Sequence, residues 1–293
     1  MILLCGIPSE GAMVRIAQAL DLRGDDYVMV NQRHIRQIAL TISVDDGGLS
    51  GRLSGPGYDV DLANVRGVYL RFMDDRVLPE LAGELPGSPA MASSRAFHDG
   101  FGQWADIAHA RVVNRYSAMG SNFSKPFQSQ LIREHGFDVP PTLVTNDPEL
   151  VRAFHETHGP LIYKSISGER SIVALLDPAD QQRLERIRWC PVQFQGFIDG
   201  PNLRVHTVGR RVFATLVTSD AVDYRYATRQ VGRAATFEPY ELDDELGQRC
   251  IALAVALGLE VAGLDLKLPS DGRVVCLEVN PSPVFSYYEH NTG

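Results

Sequence analysis

AGLDLKLPSDGRVVCLEVNPSP, residues Ala262 to Pro283, sets two apolar runs on either side of a turn, and each run carries a carboxylate. The turn is PSDG, Pro269 to Gly272, in which Pro presets φ, Asp caps the local backbone and Gly accepts a positive φ. A four-residue loop pairs Leu268 with Arg273, and counting back in antiparallel register sets Asp265 opposite Cys276 and Gly263 opposite Glu278. Opposed residues share a face and alternate residues return to it, so Asp265, Lys267, Glu278 and Asn280 are expected on one side of the ribbon. Leu264, Leu266, Leu268, Val275, Leu277 and Val279 then form an apolar face that has to pack on a core. Two carboxylates and an amide oxygen are hard ligands of the kind that hold Mg2+ beside nucleotide phosphates. A ribbon with a solvated acidic face is the competing account. Against it, Asn280, Pro281 and Pro283 stop the apolar run just beyond Glu278, and an isolated carboxylate there is costly unless paired or metal-bound.

At 293 residues the chain is long enough for two or three lobes with their own cores. Its 28 basic residues against 36 acidic ones leave a net charge of −8, which argues against a phosphate backbone as the main partner, so no nucleic acid is expected. Cys5, Cys190, Cys250 and Cys276 show neither CxxC nor Cys/His spacing and read as thiols of a reducing compartment, the cytoplasm. The opening MILLCGIPSEG lacks a charged leading region and its apolar run is short, so neither a signal peptide nor a membrane span is expected.

Residues 1–112 read as a small α/β domain. The apolar strand Ile2 to Cys5 leads through GIPSEG into a helix, Tyr27 to Val30 is a second strand, and DDGG joins a hairpin of residues 38–44 and 49–53. Gly6 and Gly11 do not make a GxGxxG, so the first turn is structural rather than a dinucleotide loop. VRGVYLRF ends the unit with Arg71, a candidate for a substrate carboxylate or a satisfied strand-end arginine. A helix from Ala90 to His109 follows a Pro/Gly-rich loop.

Residues 113–190 read as a central lobe and 191–293 as a C-terminal lobe. Ser124 and Pro126 open a helix that Gly136 ends, which puts Lys125 at the positive end of the helix dipole, a poor place for stability and a good one for phosphate. Lys164 faces inward from the strand of LIYKS, beside a small-residue loop, SISGER, suited to close over a triphosphate. A solvated Lys125 and a salt-bridged Lys164 are the plainer accounts. A helix is expected from Gln181 to Arg188. Val192 to Ile198 reads as an extended connector whose backbone can pair with an adenine edge, and Asp199 follows it. Arg204 lies mid-strand in a hairpin about VGRR, and Arg225, Arg229 and Arg233 stand in a polar stretch where guanidinium forks suit phosphate or carboxylate. Asp244 is expected to cap a last helix that Gly258 ends.

The ordered set SKPFQSQLIREHGFDVPPT, LIYKS, VQFQGFI, NLRVHTVGRRVFA, AGLDLK and LEVNPSP resembles the ATP-grasp ligases, in particular the branch of RimK-type glutamate ligases and ribosomal-peptide maturases. The likeness runs from about Asn114 to Asn291, and only the six pieces in order are specific. It implies an ATP-grasp fold of two α+β lobes behind an N-terminal pre-ATP-grasp domain. Lys125 and Lys164 match the family's phosphate lysines, and Gln195, Phe197 and Ile198 match its adenine connector. Asp265, Glu278 and Asn280 match its magnesium ligands, and Arg204 matches the arginine on the transferred phosphate. The implied reaction is ATP-dependent carboxylate–amine ligation through an acyl phosphate, with ATP, two Mg2+ ions and an amino-acid or peptide substrate near Arg71 and Arg225. A kinase-like phosphotransferase and a non-catalytic nucleotide-binding partner protein are the alternatives, and a homo-oligomer is an open expectation. Gly196 stands where the family usually has an acid, and Asn202 replaces a frequent Asp. Relatives commonly continue with a helix after the segment resembling YYEHNTG.

Overall fold

The computed structural model describes residues 1–166 and 173–292, so most of the SISGER loop lies outside the described residues. The chain divides into two compact units, Met1–Met119 with Val284–Tyr287, and Gly120–Pro283 with Tyr288–Gly293. The first is built from β1 (Ile2–Gly6), α1 (Gly11–Arg23), β2 (Tyr27–Asn31), β3 (Ala39–Asp45), β4 (Gly48–Gly55), β5 (Tyr58–Asp61), β6 (Gly67–Leu70), α2 (Pro89–Ile107), β7 (Arg111–Val113) and α3 (Tyr116–Met119). Its main sheet is parallel, in the order β2-β1-β6-β7. A parallel strand is covered on both faces, which is why ILLCG is apolar throughout and Leu3, Leu4 and Cys5 are fully buried. Phe101, Trp104 and Ala105 of α2 share one core cluster with Leu3 and Cys5. The DDGG hairpin forms as read, and β5 extends it to three antiparallel strands.

The second unit runs α4 (Lys125–Glu134), β8 (Thr142–Thr145), α5 (Pro148–His158), β9 (Leu161–Lys164), β10 (Ala174–Leu175), α6 (Pro178–Gln182), β11 (Val192–Gly196), β12 (Asn202–Val208), β13 (Arg211–Thr218), α7 (Ala227–Val231), β14 (Thr236–Tyr240), α8 (Asp244–Ala256), β15 (Val261–Lys267), β16 (Val275–Asn280) and, from Tyr288 on, the last part of α9 (Phe285–Thr292). Two antiparallel sheets result, β10-β9-β11-β8 and β14-β13-β12-β15-β16. Three local expectations need correction. The helix of residues 181–188 is instead the end of α6 followed by a 3-10 turn, Leu184–Trp189. The cap of α8 is Asp243, whose Oδ1 accepts from the Leu246 N–H at 2.8 Å, one residue before Asp244. Most of the expected connector is strand β11, paired on both sides by β8 and β9, and only residues 197–201 link the two sheets.

The register of the β15–β16 hairpin also differs from the sequence reading. PSDG makes its turn, with the Gly272 N–H donating to Pro269 O at 3.2 Å, but it sits at the tip of a longer loop, residues 268–274. Leu268 donates to Pro201 O instead of pairing with Arg273. Lys267 pairs with Val275 and Leu266 with Cys276; then a bulge shifts the register, so that Asp265 pairs with Glu278 and Gly263 with Asn280. A loop of odd length alone would put the two carboxylates on opposite faces, because the side-chain period is two. The extra residue, Leu277, restores the phase and leaves Asp265 and Glu278 directly opposed on one face.

Candidate active site

Three adjacent strands carry a row of charge. Arg204 on β12 pairs with Asp265 on β15, which pairs with Glu278 on β16. Arg204 Nη1 donates to Asp265 Oδ1 at 2.6 Å, and the guanidinium is 5% exposed. Burial is the largest single influence and works against its charge, but the Asp265 carboxylate together with the Tyr288 and Tyr224 side chains moves the arginine's pKa up on balance. At the other end of the row Lys125 Nζ lies 3.0 Å from Glu278 Oε2 and donates to Asn122 Oδ1 at 2.8 Å. Burial pushes the Glu278 carboxyl up, while Lys125 and Lys164 pull it further down, so the net shift is below the ordinary range. Lys164, on the other sheet, is lowered by burial and partly held up by Glu278. Asn280 is opposite Gly263, and its Oδ1 accepts from the Ser282 N–H at 2.8 Å.

Gln128 ties this row to α4. One turn after Lys125, its Nε2 donates to Val279 O at 2.9 Å and its Oε1 accepts from the Val279 N–H at 3.0 Å, the whole side chain being buried. Val279 is on the edge strand, so the amide replaces the missing neighbour strand and fixes Lys125 beside Glu278. Residue 138 closes the same edge nearer the loop, with Asp138 N donating to Val274 O and Cys276 N donating to Asp138 O. Gly263 makes a different provision. A Cβ there would lie 2.7 Å from Arg204 Cζ and 2.8 Å from Pro283 Cβ, so the absence of a side chain makes room for the guanidinium.

Gln195 is in the interior of its sheet, and its Nε2 donates to Thr142 Oγ1 at 2.9 Å. Phe197 and Ile198 line a cavity of about 280 Å³ with Asp199, and with Leu268, Pro269 and Arg273 of the hairpin loop. None of the charged row lines that cavity. Arg225 is forked onto buried Asp223, Nε to Oδ1 at 2.8 Å and Nη2 to Oδ2 at 2.7 Å, and Asp265 and Glu278 add to Asp223 in raising its pKa. Arg71 belongs to the first unit, where Nε donates to Glu10 Oε1 at 2.6 Å. Among the described residues no group of three His, Cys, Asp or Glu side chains gathers for a metal, which leaves a carboxylate–amide set such as Asp265, Glu278 and Asn280 as the hard-oxygen candidate.

Sequence reasoning missed four contributors. Gln128 is three residues after Lys125 on the same helix face, and His206 is two after Arg204 on the same strand face, so spacing alone placed both beside residues already singled out. Tyr288 and Tyr224 have no such signal. Their hydroxyls are 2.6 Å apart, and the Tyr288 ring lies under Arg204, 5.4 Å from Cζ.

Residues 124–293 match the model of the RimK-like ATP-grasp domain. The chain belongs to that family. A probable alpha-L-glutamate ligase of Xylella fastidiosa is 31% identical over 204 residues, an alignment taking in 62% of this chain and 66% of that protein. A Xanthomonas oryzae protein of the same description is 31% identical over 53% of this chain and 55% of its own length. The chain thus spans between about half and two-thirds of these curated relatives. Among solved structures, the Chryseobacterium gregarium RiPP-associated ATP-grasp ligase, in complex with ADP and a leader and core peptide, superposes with a TM-score of 0.83 at 21% identity, covering 100% of this chain and 92% of that one. The ATP-grasp ligase PsnB, complexed with a precursor variant, Mg and ADP, gives 0.78 at 27% identity, covering 99% and 92%. The fold is therefore that of the ATP-grasp ligases, α/β in class, as the ordered motifs implied.

Proposed function

We propose that the chain is an ATP- and magnesium-dependent carboxylate–amine ligase that acts through an acyl phosphate on an amino acid or a peptide. The observation that carries this reading is the row Arg204–Asp265–Glu278–Lys125, in which two opposed carboxylates on one face of a sheet are flanked by a cation at each end, Arg204 on the sheet and Lys125 from α4. The donor set suits magnesium. Arg204 takes Oδ1 of Asp265 and Lys125 takes Oε2 of Glu278, leaving Oδ2 and Oε1 as the oxygens that would hold the ion, with Asn280 beside them. Bound there, one or two magnesium ions would neutralise phosphate charge. Lys125 and Lys164 would bind the nucleotide's phosphates, and Phe197 and Ile198 would border its base through the connector. Arg204 would bear on the γ-phosphoryl group as the substrate carboxylate attacks it and ADP leaves. An amine then displaces phosphate from the acyl phosphate, and no enzyme nucleophile is needed. In this proposal the lobe of residues 113–190, joined by β11, supplies one sheet, and the rest of the lobe of residues 191–293 supplies the other. Arg225 and Arg71 are the proposed contacts for an anionic substrate, which the peptide-bound relatives favour as a peptide.

No helix among the described residues is long and apolar enough to cross a membrane. All four cysteines are free, and with the three buried thiols they support the cytoplasm as the proposed compartment. The test is trapping with hydroxylamine in the presence of Mg-ATP and a panel of acidic amino acids and acidic peptides. Hydroxamate formed together with ADP is the expected result. A stable phosphorylated product without hydroxamate would replace ligation with phosphoryl transfer.

A further inference from the structure

His206 is buried, 6% exposed, on the same face of β12 as Arg204. Its Nε2 accepts from Arg204 Nε at 3.4 Å. Its ring meets the Tyr288 ring edge-on, with centroids 5.0 Å apart. Arg204 is thereby approached from four sides: Asp265 on Nη1, His206 on Nε, the Tyr288 ring beneath Cζ and the bare Cα of Gly263 against Nη2. These contacts differ in kind. Asp265 supplies charge, Tyr288 a face and Gly263 space, while His206 supplies the one neutral acceptor. A guanidinium is planar, so fixing Nε and Nη1 fixes the direction of the remaining nitrogen, Nη2.

We infer that His206 is a positioning residue: as a neutral imidazole it holds Arg204 Nε so that the guanidinium edge carrying Nη2 is aimed at the group bound over the carboxylate row. This rests on the reading of Arg204 as the residue that bears on the γ-phosphoryl group. Burial and the neighbouring Arg204 charge depress the His206 pKa to about 3, so the acceptor is present throughout the working pH range. A protonated imidazole would have no lone pair for Nε and would repel the guanidinium. An alkyl side chain would leave the Nε–H buried without a partner.

The test compares binding of AMPPNP, which has a γ-group, with binding of ADP, which does not, by calorimetry with magnesium on the full chain. His206→Phe keeps a ring against Tyr288 and loses the acceptor; His206→Gln keeps an acceptor and loses the ring. Loss of a partner that orients a first contact costs about 10–100-fold in the quantity it tunes. His206→Phe is expected to lower the AMPPNP-to-ADP affinity ratio about tenfold with ADP affinity nearly unchanged, and His206→Gln to stay within about twofold of the parent. Arg204→Met serves as the reference. If it lowers the ratio and His206→Phe does not, His206 is only packing and the inference falls while the reading of Arg204 stands. Equal loss in the Phe and Gln variants also overturns it, because an acceptor supplied in place of the imidazole would then restore nothing. If Arg204→Met leaves the ratio unchanged, the reading of Arg204 fails and takes the inference with it.

Discussion

Each unit buries an arginine on or just beyond a strand, and the two are held in different ways. Arg71 turns Nε and Nη2 onto Glu10 Oε1, at 2.6 and 2.5 Å, and also hydrogen-bonds the Tyr69 side chain of β6. Arg204 divides its contacts among Asp265, His206 and Tyr288 and lies against a glycine. The first arrangement cross-links a strand end to the loop that follows β1. The second orients a cation, since three different partners constrain the plane of the guanidinium as well as its charge. A buried arginine is therefore informative about chemistry mainly through how its nitrogens are apportioned.

The largest effect that could break the contrast is expected at Glu278. Glu278→Gln keeps shape but removes the charge between Lys125 and Lys164, and ADP formation should fall about 10³-fold, with circular dichroism and urea midpoint near those of the parent. Near-normal turnover would end the assignment of the row as a phosphate site. Gly263→Ala sharpens the comparison from the side of space: its Cβ would displace the Arg204 guanidinium, so turnover should drop about tenfold or more, with a small loss of stability. Arg71→Ala should do the opposite. Removing one partner of a buried pair leaves Glu10 uncompensated, and with Glu10 one-quarter exposed the expected loss is about 2–3 kcal/mol in urea unfolding, without change in the AMPPNP-to-ADP ratio. If that ratio shifts instead, the two arginines are not distinct in role.

A further effect is read from acid. His206 titrates near 3 when folded, against about 6.5 for an unfolded histidine, so between these values the unfolded chain binds the extra proton. Stability contributed by this group therefore falls as pH drops from about 6.5 toward 3. Thermal melts from pH 7 to pH 4 should show a shallower acid loss for His206→Phe than for the parent. Identical slopes would mean that the imidazole is not held neutral.

The charged row was legible in the sequence because Arg204, Asp265 and Glu278 interrupt apolar strands, where a charge without a purpose is selected against by its own desolvation, and because Lys125 stands at the unfavourable end of a helix dipole. The register was only partly legible. Counting from PSDG gave the right face for Asp265 and Glu278 but paired Asp265 with Cys276, because neither the loop's true extent nor the bulge at Leu277 has a composition signal. Strand β14 escaped notice because Pro239 interrupts TFEPY; β14 is an edge strand, where a proline costs no ladder bond on the open side. An open hinge and an internal strand look alike in VQFQG, which is short and alternates apolar residues with glutamines, and here both Gln193 and Gln195 are buried in the sheet. Tyr288, whose ring supports Arg204, is far from it in sequence, and no local pattern relates the two.

The closure of the β16 edge by Gln128 and residue 138 has a consequence for what can approach the row. An uncovered edge there would offer an extended peptide a ladder of backbone partners and admit almost any sequence, since such pairing ignores side chains. With the Val279 and Cys276 amides and the Val274 and Val279 carbonyls already engaged, no incoming chain can add itself as a further strand beside Glu278. Selection among substrates at that border is thereby left to side chains and shape.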